Sequence, residues 1–120
     1  MSVIIGGTTG ITFPSGSLQN SGVIAWAKFN GNTGAITASN NITSITRNAA
    51  GTYTAIMTTA AVDANYILVG AVTFQTGYTS SATITMNGNF TLTTTTFQFY
   101  NLTYTATGSD NPVVGFAIIR

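Results

Sequence analysis

Ile42-Thr43-Ser44-Ile45-Thr46-Arg47 and Thr52-Tyr53-Thr54-Ala55-Ile56-Met57 stand on either side of Asn48-Ala49-Ala50-Gly51. Both flanks are dominated by β-branched and aromatic residues, which fit the pleated, half-buried surface of a strand. The four-residue link ends in glycine, the residue that adopts a positive φ without steric cost. The stretch is therefore expected to form a β-hairpin.

Outward from it the same pattern recurs. Val23 to Asn30 alternates with period two: Val23, Ala25, Ala27 and Phe29 share one face, Ile24, Trp26 and Lys28 the other. Asn30-Gly31 opens a glycine-rich turn that ends near Gly34. Tyr66 to Phe74 and Val113 to Ile119 are apolar on both faces, which predicts two central strands covered on both sides. Ala82 to Met86 and Phe90 to Thr94 flank Asn87-Gly88, a two-residue hairpin signal with a type I′ turn. Thr96 to Thr105 reads as one long strand in which Phe97 and Phe99 oppose Gln98, Tyr100, Leu102 and Tyr104.

Near the N-terminus, Ser2 to Ile5 reads as a short strand, and Phe13-Pro14-Ser15-Gly16 as a turn. Short strands at this spacing predict an all-β fold, an antiparallel β-sandwich or jelly-roll-like barrel of about eight strands. Residues 6–22 are rich in Gly, Ser and Thr. Residues 1–22 are accordingly assigned to an N-terminal arm or attachment segment, and 23–120 to a single β-sandwich domain.

Composition narrows the chemistry. The 120 residues include no cysteine and no histidine, two acids (Asp63, Asp110) and three bases (Lys28, Arg47, Arg120). Disulfides and thiolate chemistry are thereby excluded. General acid–base catalysis and zinc binding lack the residue clusters they require. The chain is expected to be no enzyme and to use no cofactor and no metal. A net charge of +1 cannot track a phosphate backbone, so nucleic acid is not an expected partner. No apolar run approaches the roughly 20 residues of a membrane helix. Residues 1–9 carry neither the basic start nor the long apolar stretch of a secretory signal.

Charged residues make up 4% of the chain, against about 25% in ordinary soluble domains. Mean hydropathy is +0.34. With few charges to hold copies apart and several strands apolar on both faces, the chain is expected to be a homo-oligomer.

Two sets of residues are candidates for an interaction surface. Trp26, with Lys28 on the same strand face, could stack on a sugar ring, or could pack in a core or subunit contact. Gln98, Tyr100 and Tyr104 line one face of another strand and could form a receptor platform, or could pack against another subunit. Asp63 with Asn65, and Asp110 with Asn111, offer one carboxylate per site, too few for calcium; these residues more simply close turns. The threonines from Thr91 to Thr107 show no repeat period of the kind a flat ice-binding array needs. Asn41, Asn89 and Asn101 each begin an Asn-x-Thr sequon, which a chain so rich in Asn and Thr produces by chance.

Gly10-Ile11-Thr12-Phe13-Pro14-Ser15-Gly16-Ser17-Leu18-Gln19 resembles the Gly-x-x-Phe-Pro-(Asp/Ser)-Gly-(Ser/Thr)-x-Gln segment of bacteriophage tail fibres. Ala25-Trp26-Ala27-Lys28-Phe29-Asn30-Gly31 follows, then Ile45-Thr46, Gly51-Thr52-Tyr53-Thr54 and Asp63-Ala64-Asn65-Tyr66. In this order the segments are similar to a recurring fibre module of phages, including phages of cyanobacteria. The likeness covers roughly residues 10–75; Val62 stands where such modules often carry proline. It implies a non-enzymatic protein of the virion surface, commonly trimeric. Its partners would be its own copies, other tail or capsid proteins and, if Trp26 stacks, a host surface glycan. A tail fibre or spike, a capsid decoration protein and a carbohydrate-binding module remain the competing functions.

Overall fold

Alternation of buried with partly or fully exposed residues marks several strands of a computed structural model that describes residues 4–6, 10–12, 22–73, 82–103 and 107–120. Strands β1 (Ile4–Gly6) and β2 (Gly10–Thr12) form a two-stranded hairpin of their own. The remaining strands are β3 (Val23–Phe29), β4 (Ile36–Asn40), β5 (Ile42–Ala49), β6 (Thr52–Met57), β7 (Ile67–Val72), β8 (Ala82–Met86), β9 (Thr96–Thr103) and β10 (Val114–Ile119). They make two four-stranded antiparallel sheets, β4-β3-β10-β7 and β5-β6-β9-β8. Among the described residues there is no helix. The fold is the all-β, eight-strand sandwich expected from the sequence.

One inward stripe per strand forms the core. Ala25, Ala27 and Phe29 of β3, Tyr53, Ala55 and Met57 of β6, Phe97 and Phe99 of β9, and Val114, Phe116 and Ile118 of β10 are all buried. The alanines leave room for six rings in contact, Phe29, Tyr53, Tyr66, Phe97, Phe99 and Phe116. Phe29 meets Tyr53 edge-on at 5.0 Å, Phe97 meets Phe116 edge-on at 5.4 Å, and Phe99 lies 5.1 Å from Phe116. Such pairs add about 0.5–1.5 kcal/mol each beyond the area they bury.

The β5–β6 hairpin is present, and Gly51 has φ +64° at the end of its link. A side chain there would also collide with the Asn101 carbonyl and the Ser109 amide. The β4-to-β5 turn is made by Asn41 at φ +58°, a conformation that asparagine tolerates. Its Nδ2 donates to the Ile24 carbonyl (3.0 Å) and the Thr59 carbonyl (3.1 Å), and its Oδ1 accepts from the Thr59 amide (2.6 Å). That engagement makes the Asn41 sequon a structural turn.

Three expectations need correcting. First, Asn87-Gly88 does not link two adjacent strands. β8 pairs with β9 in the register Met86↔Phe99, and Phe90 to Thr95 form a loop between them. Gly88 is not among the residues with positive φ, so the turn is not type I′. Asn87 is buried, its Oδ1 accepts from the Asn89 amide, and its carbonyl accepts from the Phe90 amide (3.1 Å). Second, β7 is an edge strand and not a central one. Among the described residues it pairs only with β10; Gly70, paired with the buried Phe116, faces the interior, and its bare Cα admits Ile84 of β8, which a Cβ there would meet at 2.5 Å. Third, Val23 is exposed, because a bulge between Ile118 and Ile119 sets it opposite Ile119 instead of continuing the inward stripe. Strand β4 carries no comparable sequence signal: Ile36 is its only residue that is not exposed, so it shows little alternation. The Phe13–Gly16 turn lies outside the described residues.

Candidate functional site

Residues paired directly across antiparallel strands project to the same face, so the registers define the two outer surfaces of the sandwich. On the β4-β3-β10-β7 sheet one row reads Asn40, Trp26, Ala117, Val69 and the next Ala38, Lys28, Gly115, Ala71. Val23, Ile119 and Ile67 complete it at one end. This face is open: Val23 and Ile67 are each 59% exposed, Val69 46% and Trp26 39%. Gly115 leaves a shallow groove of about 330 Å³ between Val69, Ala71 and Phe116. Lys28 is its one charged group, and both acids of the chain are engaged elsewhere.

The outer face of the β5-β6-β9-β8 sheet has the opposite character. Its rows are Ser44, Ile56, Thr96; Thr46, Thr54, Gln98; and Thr52, Tyr100, Thr85. A chain of side-chain hydrogen bonds crosses the strands. The Asn87 amide donates to Gln98 Oε1, Gln98 Nε2 donates to Thr54 Oγ1 (3.2 Å), and Asn48 Nδ2 donates to the same hydroxyl (2.6 Å). The three amides and the Thr54 hydroxyl thus bond within one chain, so the face stays polar without charge.

The candidate residues therefore separate. Trp26 and Lys28 lie together on the apolar sheet, two residues apart on β3; Gln98 and Tyr100 lie on the hydroxyl-rich sheet on the far side of the core. Tyr104 lies outside the described residues. Sequence reasoning misses the contributions of β7 and β10 to the Trp26 face. The signal that could have found them is the two-sided apolar character of those strands.

Both carboxylates close ends of the sandwich. Asp110 accepts from Arg47 Nε (3.0 Å) and Nη2 (2.5 Å), from the Gly51 amide (2.9 Å) and from the Tyr53 hydroxyl (2.9 Å). Burial pushes this carboxyl up, but those hydrogen bonds outweigh it and hold it below the usual carboxylate range. Burial, and then the bond to Asp110, push the Tyr53 phenol well above its ordinary value. At the other end of β10, Arg120 forks onto both oxygens of Asp63, and the Asn65 amide donates to Oδ1 (2.8 Å). The Arg120 guanidinium, and next the Asn65 amide, hold Asp63 far below the usual range. Among the described residues no three His, Cys, Asp or Glu gather where a metal could sit.

No protein-family model, no curated protein and no solved structure matches the chain.

Proposed function

We propose that the chain is a non-enzymatic structural protein of a phage particle surface, a tail-fibre or spike-like component that assembles with copies of itself, most simply as a trimer. The observation that carries the self-assembly is the apolar outer face of the β4-β3-β10-β7 sheet. It exposes Val23, Trp26, Ile67 and Val69 together, while the opposite outer face is hydroxyl-rich. Contiguous apolar patches of a few hundred Å² on a soluble domain commonly mark contacts. The virion setting and the trimer rest on the likeness of residues 10–75 to phage fibre modules. A capsid decoration protein would use the same face against a neighbouring virion protein. Both arginine-bound carboxylates and the lack of histidine support the absence of catalysis. Imaging intact particles with the protein labelled tests the setting: density on the tail supports the fibre, density on the head supports decoration, and absence from the particle overturns both.

A carbohydrate-binding reading has one observation of its own, the partly exposed Trp26 on the same sheet face as the Gly115 groove. Trp26 is the one tryptophan of the chain, so saturable change in its fluorescence on titration with surface polysaccharide would favour it.

A further inference from the structure

We infer that the β1–β2 hairpin of one copy packs across the apolar outer face of the β4-β3-β10-β7 sheet of a neighbouring copy, so that subunits are joined by exchange of N-terminal arms. This rests on the self-assembly proposed above and names what seals it.

β1 and β2 pair with each other in the register Ile4↔Thr12, Ile5↔Ile11, Gly6↔Gly10, and among the described residues no ladder joins them to either four-stranded sheet. A two-stranded hairpin alone is marginal in water and needs a surface to pack on. Val23, Ile67 and Val69 stay exposed with the described strands β1 and β2 present, so those two strands do not cover them in their own copy.

Size also points to a contribution from the arm. Four strands about 4.8 Å apart and six residues long present roughly 400 Å². A stable interface takes about 800 Å² from each partner. The face alone reaches half of that, and an arm laid over it supplies further area from the same pair of copies. Residues 1–22 contain no charged side chain, and Val3, Ile4, Ile5 and Ile11 make the hairpin segment apolar in composition. No side chain of the arm would set a charge against Val69 or Ile67.

The reach is sufficient. Gly22 is tied to Arg120 by backbone hydrogen bonds in both directions, of 2.5 and 3.0 Å, beside the Val23–Ile119–Ile67 row. The arm thus departs at the margin of the apolar face. A link of nine residues can span at most about 30 Å, longer than the roughly 20 Å length of the face.

The chain has no cysteine, which makes crosslinking clean. Full-length Ile5→Cys and Val69→Cys chains, one of them tagged, are mixed at micromolar concentration and mildly oxidised; Ile5→Cys with Thr46→Cys, on the hydroxyl-rich face, is the control. Arm exchange raises the local thiol concentration, so the first pair should give disulfide heterodimer on the order of 100-fold faster than the control. Ile11→Cys with Ala117→Cys is a second pair should either variant fold poorly. Equal rates for test and control pairs, with light scattering still showing an oligomer, would overturn the arm placement and leave self-assembly standing. An intrachain disulfide in the dilute Ile5→Cys/Val69→Cys double variant would show that the arm covers its own face, against exchange. A monomer in light scattering would overturn both.

Discussion

The Tyr53 hydroxyl lies 2.9 Å from Oδ1 of Asp110, and this contact fastens β6 of one sheet to the segment that leads into β10 of the other. The same hydroxyl lies 2.8 Å from the Gly31 carbonyl, and its single proton is best placed on the charged acceptor. Asp110 further gathers Arg47 and the Gly51 amide, so one carboxylate ties the β5–β6 link, the inter-sheet core and the β10 approach together.

Asp110→Ala would leave the Tyr53 hydroxyl, the Gly51 amide and Arg47 without that acceptor. We expect a loss of about 2–4 kcal/mol, against about 1 kcal/mol for Tyr53→Phe, which removes one bond and leaves no orphan charge. Urea unfolding of the two variants measures this. Equal small losses would show that Asp110 is not the organising group.

Stability should be flat between about pH 5 and pH 9, because no histidine or glutamate titrates there. Asp63 and Asp110 are both depressed in the folded state, so their contribution is present above the unfolded aspartate value and is lost as pH falls below about 4. Tyr53 and Tyr66 are raised, so their neutral forms favour folding below the unfolded phenol value, and stability falls as pH climbs past about 10. Melting temperatures across this range test both wings. A transition near pH 6 would contradict the assignment.

Two glycines should respond to valine with very different losses. Gly51 has a positive φ and backbone crowded around its missing Cβ, so Gly51→Val should cost more than about 3 kcal/mol. Gly88 has open space where a Cβ would go and no positive φ, so Gly88→Val should cost less than about 1 kcal/mol. Thermal melts decide; a large loss at Gly88 would restore the tight hairpin there.

The contrast between those glycines also marks how far local sequence signals reach. The Gly51 link is legible because its flanks alternate cleanly and its glycine falls where the turn needs one. Asn87-Gly88 carries the same local signal, but the Asn87 amide bonds the Gln98 side chain, and the next strand begins only at Thr96. The start of β9 is legible all the same: Thr96 to Thr105 reads as a strand, and β9 begins at Thr96. Trp26 and Tyr100 can each be placed on a strand face by alternation. Which sheet each strand joins depends on pairings between residues as distant as Trp26 and Ala117, and alternation carries no information about those. For the same reason, the two-sided apolar pattern of β7 is legible, but its edge position is not.

Trp26 offers a direct readout of the exposed face. It is partly exposed in the single chain, so its emission should shift to the blue as concentration rises and copies cover it. The shift should vanish in Val69→Asp, in which a charge sits next to Ala117 in the same row. A concentration-independent spectrum would mean that Trp26 lies outside any contact.

The most direct test of self-assembly through the apolar face is the solution mass of the intact chain by light scattering on a sizing column at micromolar concentration. The wild-type chain should run at a multiple of its 12.4 kDa, most simply a trimer. Val69→Asp should run as a folded monomer, and Thr46→Asp on the opposite face should keep the wild-type mass. A well-folded wild-type monomer, or an oligomer that Thr46→Asp breaks and Val69→Asp leaves intact, would contradict the account.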